Sequence, residues 1–318
     1  MRVRIETGAR LHFGFYNLMP VRRLWGSIGL AVDGVGYDIV IEEGGNGIVV
    51  EGCQRARFHR ILLEALERLR LGDMSIKLVA RKCIPEHRGL GSTTQAKLAV
   101  YAGLARLASL DIDVYKLAEL AGRGKVSGVG IAAFAYGGFI IDTGRRVGVE
   151  TGVPKPMMRI ELPEKWRIVY LTPMTSWRVA EEGEVVFQGS IDPTLHCTLL
   201  ETVFTWLAPA AVEKDFESFT AALEEIERIM GMYFSKAQEG AYCCRETAAA
   251  AEELRRAGGR GVGQSSWGPT VYAFFPDEES ARTALNQAAS RLEQRGIRLE
   301  YYGVLKPRNR GAVVTLEG

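Results

Sequence analysis

The sequence predicts an α+β protein of two halves, and three observations carry that prediction. Strand-like alternation opens the chain. Helical periodicity interrupts it in both halves. A Pro- and Gly-rich stretch, "TGRRVGVETGVPKPMMRIELPEKW", separates two mixed segments. The 318 residues fit two domains of ordinary size, with the boundary near residue 160 (1–160 and 161–318).

In the first half, "VRIETGARLHFGF", "GYDIVIEEG" and "GIVVEG" are β-rich and punctuated by glycine. "RARFHRILLEALERLRLG" has helical spacing, with Gly72 as its expected C-terminal cap. "SIKLVARKCI" alternates as a strand, and Pro85 closes it. "TTQAKLAVYAGLARLASL" reads as a buried helix, and "DVYKLAELAGRG" as a second one with a glycine stop. "GVGIAAFAYGGFIIDTG" is rich in small residues and ends in a strand-like "FIID". The second half opens with the strand "WRIVYLTP", and helices follow across 197–257. "GVGQSSWGPTVYAFF" reads as a loop entering a strand. A helix over "EESARTALNQAASRLEQRG" and a final strand "IRLEYYGVL" complete an α+β sandwich.

Composition narrows the functions. The chain is 47% hydrophobic and 25% charged, which suits a globular protein with an ample core. Forty basic against 38 acidic residues give a net charge of +2, so no broad basic field favours nucleic acid. The N-terminus reads as a strand rather than a leader, and no apolar run looks long enough to span a membrane. Five scattered cysteines without C-x-x-C spacing predict reduced thiols in the cytoplasm, with an intracellular disulfide as the hyperthermophile exception. The four histidines show no zinc spacing.

The sharpest local signal is "IPEHRGLGSTTQAKLAV". Gly89 and Gly91 let backbone N–H groups approach an anion, Ser92, Thr93 and Thr94 add hydroxyls, and the following helix adds its positive end. A tight turn with Ser92 as an ordinary cap is the competing reading. No Lys-Ser/Thr pair follows at Walker A spacing. "SGVGIAA" imitates G-x-G-x-x-A but follows a helix, not a strand, which excludes a dinucleotide fingerprint. Arg123 and Lys125 beside it are phosphate cations or solvated surface charges. In "GVGQSSWGPT", Ser265, Ser266 and Trp267 face a ligand or form a strand-entry turn. Arg10 and His12 share one face of a strand, where Arg10 can fork onto a phosphate.

Taken in order, "RLHFG", "IPEHRGLGSTTQ", "GRGKVSGVGIAAFAYGGFIIDTG", "LAPAAVEKDFESF" and "GQSSWGPTVYAF" resemble the GHMP kinase superfamily, and within it the β-ribofuranosylaminobenzene 5′-phosphate synthases. The resemblance implies an N-terminal domain similar to ribosomal protein S5 domain 2, a ferredoxin-like C-terminal domain, and a cleft between them. Kinases of the superfamily typically carry an Asp in S-G-x-D, whereas here "SGVG" puts Gly130 at that position. The synthase chemistry it implies joins phosphoribosyl diphosphate to 4-hydroxybenzoate or 4-aminobenzoate with loss of CO2 and pyrophosphate. No hydroxyl nucleophile then needs a base. On this resemblance Gly89, Gly91, Ser92 and Thr93 hold phosphate, with Arg10, Arg123 and Lys125 as its cations. Gln95, Ser265, Ser266 and Trp267 line the aromatic or ribose site, and Gln95, His12 and Trp267 stand nearest the chemistry. His12 meets the benzoate carboxylate or is structural. Mg²⁺ is the expected cofactor, with Asp142 as its carboxylate or as a structural residue, and Glu181 and Glu182 as runners-up. An ATP-dependent small-molecule kinase and a non-catalytic binding module are the alternatives. "ETVFTWLAPAAV" reads equally as a homodimer contact or a core helix.

Overall fold

The computed structural model describes residues 1–45, 47–72, 74–149, 151–177 and 191–317. The first half runs β1 (Arg2–Glu6), β2 (Ala9–Phe15), β3 (Arg23–Leu24), β4 (Ser27–Asp33), β5 (Asp38–Glu43), β6 (Ile48–Gly52), α1 (Arg55–Arg68), β7 (Ile76–Lys82), α2 (Ser92–Leu107), α3 (Val114–Leu120), α4 (Val129–Ala135), β8 (Phe139–Asp142), β9 (Arg145–Arg146) and β10 (Pro156–Ile160). The second runs β11 (Arg167–Pro173), α5 (Pro193–Glu201), a π-helical stretch (Thr202–Leu207), α6 (Ala208–Glu213), α7 (Phe216–Phe234), α8 (Arg245–Arg256), β12 (Arg260–Gln264), β13 (Val271–Phe275), α9 (Glu278–Gln294), β14 (Leu299–Pro307) and β15 (Val313–Glu317).

Two large sheets result. One has the order β15-β1-β5-β7-β6, with β6 and β7 parallel around α1. The other has the order β10-β8-β4-β14-β11-β13-β12, with β2 also on β4. This second sheet crosses the expected boundary near residue 160, because β14 pairs with β4 at Asp33↔Lys306 and Val32↔Pro307. The last strand, β15, returns to the open edge of β1. The aromatic core bridges the halves in the same way. Phe13 of β2 meets Phe139 of β8 and Tyr272 and Phe274 of β13, and Phe219 of α7 packs on Phe139 and Phe274. Burying each ring is worth roughly 1.5–3 kcal/mol, so the two halves are fused by their core.

Several expectations change. Helix α1 stops at Arg68, and Arg70, not Gly72, takes the left-handed conformation (φ 59°), while the Leu71 N–H reaches back to the Leu66 carbonyl. "RGVGQ" forms strand β12 instead of loop. A further strand, β15, follows "IRLEYYGVL". Cys53 and Cys83 form a disulfide across 30 residues, where reduced thiols were expected. One helical run among the described residues, Pro193–Glu213, is long and apolar enough by length and composition to cross a membrane, which the sequence reading had excluded. Its Leu199, Val203, Leu207 and Ala211 are buried in the core beside α7, while Trp206 and Val212 stay outside.

Candidate active site

Two glycine loops cross at the centre of the molecule, one entering α2 and one joining β12 to β13. Gly89 has φ +86°, and a Cβ there would lie 2.2 Å from the Ser265 carbonyl oxygen. A Cβ on Gly268 would lie 2.3 Å from the Gly89 nitrogen. Backbone therefore lies directly on backbone, and only glycine fits on either side. Ser265 stitches the crossing. Its fully buried hydroxyl donates to the Gly89 carbonyl (2.6 Å) and accepts the His12 N–H (3.0 Å). Arg10 donates to the same Gly89 carbonyl (2.8 Å).

Gly91 (φ 76°) is the N-cap of α2, and no side chain caps that helix. Ser92 is thus its first residue and not its cap. The first-turn N–H groups remain directed at whatever lies before them, as an anion site requires. Two threonines there are pre-set. Arg57 donates to Thr93 Oγ1 (2.8 Å) and Arg123 to Thr94 Oγ1 (3.2 Å), which leaves each hydroxyl hydrogen for a ligand. A small cavity of about 70 Å³ over this turn is lined by Gly89, Gly91, Ser92, Thr93 and Arg123.

That cavity adjoins a cleft of about 860 Å³, and Arg10, Thr94, Arg123, Ser266 and Trp267 line both. The cleft wall carries six basic side chains (Arg10, Arg68, Lys97, Lys116, Arg123, Lys125) against two acidic ones, Glu64 and Glu119. Such an excess concentrates polyanions. Lys97 is anchored by Glu64 (2.9 Å) and the Ala121 carbonyl (3.0 Å), and Lys116 pairs with Glu119 (3.0 Å). Sequence reasoning missed Lys97, Lys116 and Arg68. The available signal was Lys97 itself, a charge beside the apolar run of α2.

Beside the cleft lies an aromatic slot of about 40 Å³, walled by Phe15, Met230, Phe234 and Trp267. His12, Phe15, Ser266 and Trp267 line both spaces. The Trp267 and Phe234 rings sit edge to face with centroids 4.5 Å apart. His12 is buried, and burial together with Arg10 pushes its pKa well below the usual range, so the ring is neutral. Its Nδ1 accepts the Gly14 N–H (3.1 Å), leaving Nε2 to carry the hydrogen.

The crossing and the cleft gather Arg10, His12, Gly89, Gly91, Ser92, Thr93, Arg123, Lys125, Ser266 and Trp267. Three expected site residues lie elsewhere. Ser265 is spent in the stitch. Gln95 is buried with its amide donating to the Gly130 carbonyl (2.7 Å), so it shapes the cleft floor from behind. Asp142 has no exposure, and its Oδ1 accepts the N–H groups of Ser27 (2.9 Å) and Gly144 (2.8 Å) while Oδ2 accepts that of Gly128 (2.7 Å), which fits the structural reading. Burial still raises its pKa to about 6 against those three donors. Among the described residues no group of three His, Cys, Asp or Glu is placed to hold a metal ion. Glu181 and Glu182 lie outside the described residues.

A cleft at the junction of two fused α+β halves, floored by a glycine loop that opens a helix, defines a class of small-molecule phosphate-handling enzymes. The GHMP kinase N-terminal domain model matches residues 57–138 and the GHMP kinase C-terminal model residues 207–294, together more than half of the chain. The chain belongs to the GHMP kinase superfamily, and within it is similar to β-ribofuranosylphenol 5′-phosphate synthases. The synthase of that name from Methanothermobacter thermautotrophicus is 28% identical over 88% of this chain and 90% of its own length. That of Archaeoglobus fulgidus is 29% identical over 86% and 87%. Homoserine kinase from Cytophaga hutchinsonii shares the fold, with a TM-score of 0.73 at 16% identity, over 99% of this chain and 97% of its own.

Proposed function

We propose that the chain transfers a phosphoribosyl group from phosphoribosyl diphosphate to 4-hydroxybenzoate or 4-aminobenzoate, releasing CO2 and pyrophosphate and forming a C-riboside 5′-phosphate. The observation that carries this reading is the pairing of a strongly cationic cleft with Gly130 in its wall. The superfamily's kinases typically place an Asp at that position, and here no side chain exists to take a hydroxyl proton. Reaction at an activated ring carbon needs no such base.

In this reading the α2 N-terminus, Arg10 and Arg123 hold phosphate oxygens, and Lys97 and Lys125 neutralise the departing diphosphate. As the C1–O bond lengthens, the sugar carbon gains oxocarbenium character. The ring carbon bearing the carboxylate attacks it, and CO2 leaves to restore aromaticity. The protein's contribution is positioning and electrostatics. The expected Mg²⁺ does not fit a position held by the described carboxylates. Asp142 is fully buried and receives three backbone N–H groups, and Glu64 and Glu119 are paired with lysines. No step is assigned to it.

The test supplies purified protein with carboxyl-labelled 4-hydroxybenzoate or 4-aminobenzoate and either phosphoribosyl diphosphate or ATP. Labelled CO2 released with phosphoribosyl diphosphate alone supports the proposal. No CO2 with either acid, but ADP formed with a small alcohol, would return the glycine loop to a kinase.

A further inference from the structure

Glu227 of α7 closes the far end of the aromatic slot, and the function proposed above does not use it. Its Oε1 receives the Tyr272 hydroxyl and its Oε2 the Gln264 N–H (3.2 Å). The sequence leaves room for it: a Cβ on Gly263 would lie 2.3 Å from the Glu227 carboxyl carbon. The charge of Arg255 reaches Glu227 and favours its ionised form. The neighbouring Gln264 amide is spent, its oxygen on the Cys243 N–H (2.8 Å) and its nitrogen on the Ser266 carbonyl (3.0 Å). A carboxylate oxygen accepts two hydrogen bonds, so one protein donor on each leaves further accepting capacity. An apolar aromatic slot thus ends in a hydrogen-bond acceptor.

We propose that Glu227 recognises the hydroxyl or amino group of the aromatic acceptor and takes its proton as the ring attacks. This rests on the decarboxylating transfer proposed above and adds the acceptor site to it. A volume of about 40 Å³ exceeds one water's need and suits a small polar substituent, not a whole ring. The ring then lies at the mouth beside Phe15 and Trp267, which line slot and cleft alike, with its carboxylate end toward the cleft.

The electrons balance. The ring-carbon-to-C1 bond forms while the C1–O bond breaks, its pair leaving with the diphosphate. The para O–H or N–H bond breaks at the same stage, its proton moving to a Glu227 oxygen and leaving a neutral dienone or imine ring. The bond to CO2 then breaks, its pair flows back through the ring to the para atom, and that atom recovers the proton from Glu227. Burial pushes the Glu227 carboxyl up to about 8, against the donors from Tyr272 and Gln264, which brings it toward the range of a phenol.

The full chain is assayed as wild type and as Glu227→Gln with 4-hydroxybenzoate, and the wild type also with 4-methoxybenzoate, which is electron-donating but has no proton to give. Glu227→Gln is expected to lose about 10²-fold or more in kcat on 4-hydroxybenzoate, the size of a general-base contribution, with the KM for phosphoribosyl diphosphate unchanged. The wild type should turn over 4-methoxybenzoate at least about tenfold more slowly than 4-hydroxybenzoate. A Glu227→Gln enzyme within about threefold of wild type, or one whose loss is matched by a rise in the KM for phosphoribosyl diphosphate, overturns the assignment. Equal wild-type turnover of the two acceptors overturns it too, without any variant. A wild type active on neither 4-hydroxybenzoate nor 4-aminobenzoate defeats the decarboxylating transfer itself, and the Glu227 role with it. An active wild type indifferent to the substitution defeats only the latter.

Discussion

Replacing Gly89 by alanine tests the crossing of the two loops and its purpose together. The new Cβ would stand 2.2 Å from the Ser265 carbonyl oxygen and 3.3 Å from the Gly268 Cα. Both are backbone atoms, so no side chain can rotate away. The loops must separate by about an ångström to restore ordinary contact. Holding a non-glycine residue at φ +86° costs about 1–2 kcal/mol by itself. Separation also stretches the Ser265 hydroxyl and Arg10 bonds to the Gly89 carbonyl, now 2.6 and 2.8 Å, past useful length. Losing one neutral and one charged hydrogen bond adds about 2–4 kcal/mol. The expected total is about 3–6 kcal/mol.

Gly148→Ala is the control. Gly148 has φ +76° with nothing within 4 Å, so it should lose only the conformational part, about 1–2 kcal/mol. Denaturant unfolding of both variants, read at matched slopes, gives the difference. The KM for phosphoribosyl diphosphate, measured at low temperature on folded protein, gives the functional half. Equal destabilisation of the two variants would refute the backbone contact. A destabilised Gly89→Ala enzyme with an unchanged KM would refute the loop as the phosphate site.

Four further outcomes follow from the structure. Asp142→Asn should cost about 2–4 kcal/mol, because an amide NH2 must face a backbone N–H that now meets a carboxylate oxygen; the variant that remains folded should keep its activity, and loss of turnover restored by added Mg²⁺ would revive a metal role. The pH profile follows as well. Asp142 is raised from its ordinary 3.8 to about 6, so its protonated form favours the folded state by about 3 kcal/mol below pH 3.8, and this is lost as pH rises through 6. His12, held below 6.5, acts oppositely and removes stability as pH falls under that value; unfolding midpoints between pH 4 and 8 should show Asp142→Asn steepening the acid-side fall. Reducing the Cys53–Cys83 bridge, which closes 30 residues, should lower stability by about 3–4 kcal/mol in chain-entropy terms, visible as a shifted midpoint with reductant and absent in a Cys53→Ser/Cys83→Ser protein. Lys97→Met should lower kcat/KM about tenfold or more and weaken its salt dependence, whereas an unchanged salt slope would take Lys97 out of the polyanion site.

The local elements were legible because local chemistry sets them. Alternation marked β7, apolar periodicity marked α2, and the glycines of "GLGS" marked a turn that must bring backbone close to something. That something was hidden. Gly89 meets Ser265 across 176 residues, and no single-sequence pattern reports such a pairing. The differences from expectation share this cause. Ser265, Gln95 and Asp142 are polar residues of the kind that line sites, and each turns its polar atoms to backbone partners supplied by distant segments. β12 and β15 hide for a similar reason: "RGVGQ" looks like loop until β13 pairs with it, and "VVTLE" is short until the edge of β1 receives it. Arg68, Lys97 and Lys116 were hard to read because α1, α2 and α3 contribute one each.

The fused core also bears on how such a cleft can change its chemistry. The crossing of Gly89 and Gly268 depends on backbone alone, and the Ser265 stitch ties it to β2. The anion turn is therefore fixed largely by backbone contacts, and Trp267 and His12 join it to the acceptor slot. Residue 130 stands at the other wall, where a Cβ would meet the Thr94 side chain at 3.3 to 3.6 Å, a snug fit that needs no backbone movement. Packing at 130 therefore does not demand glycine, unlike the glycines at 89 and 268. The acceptor slot, walled by β2, α7 and Trp267, lies beside the cleft with its own ionisable group at the far end. Ser266 and Trp267 border both the anion turn and the slot, whereas Glu227, Met230 and Phe234 border only the slot of the two. Those α7 residues can therefore vary with the acceptor while the crossing of Gly89 and Gly268 stays as it is.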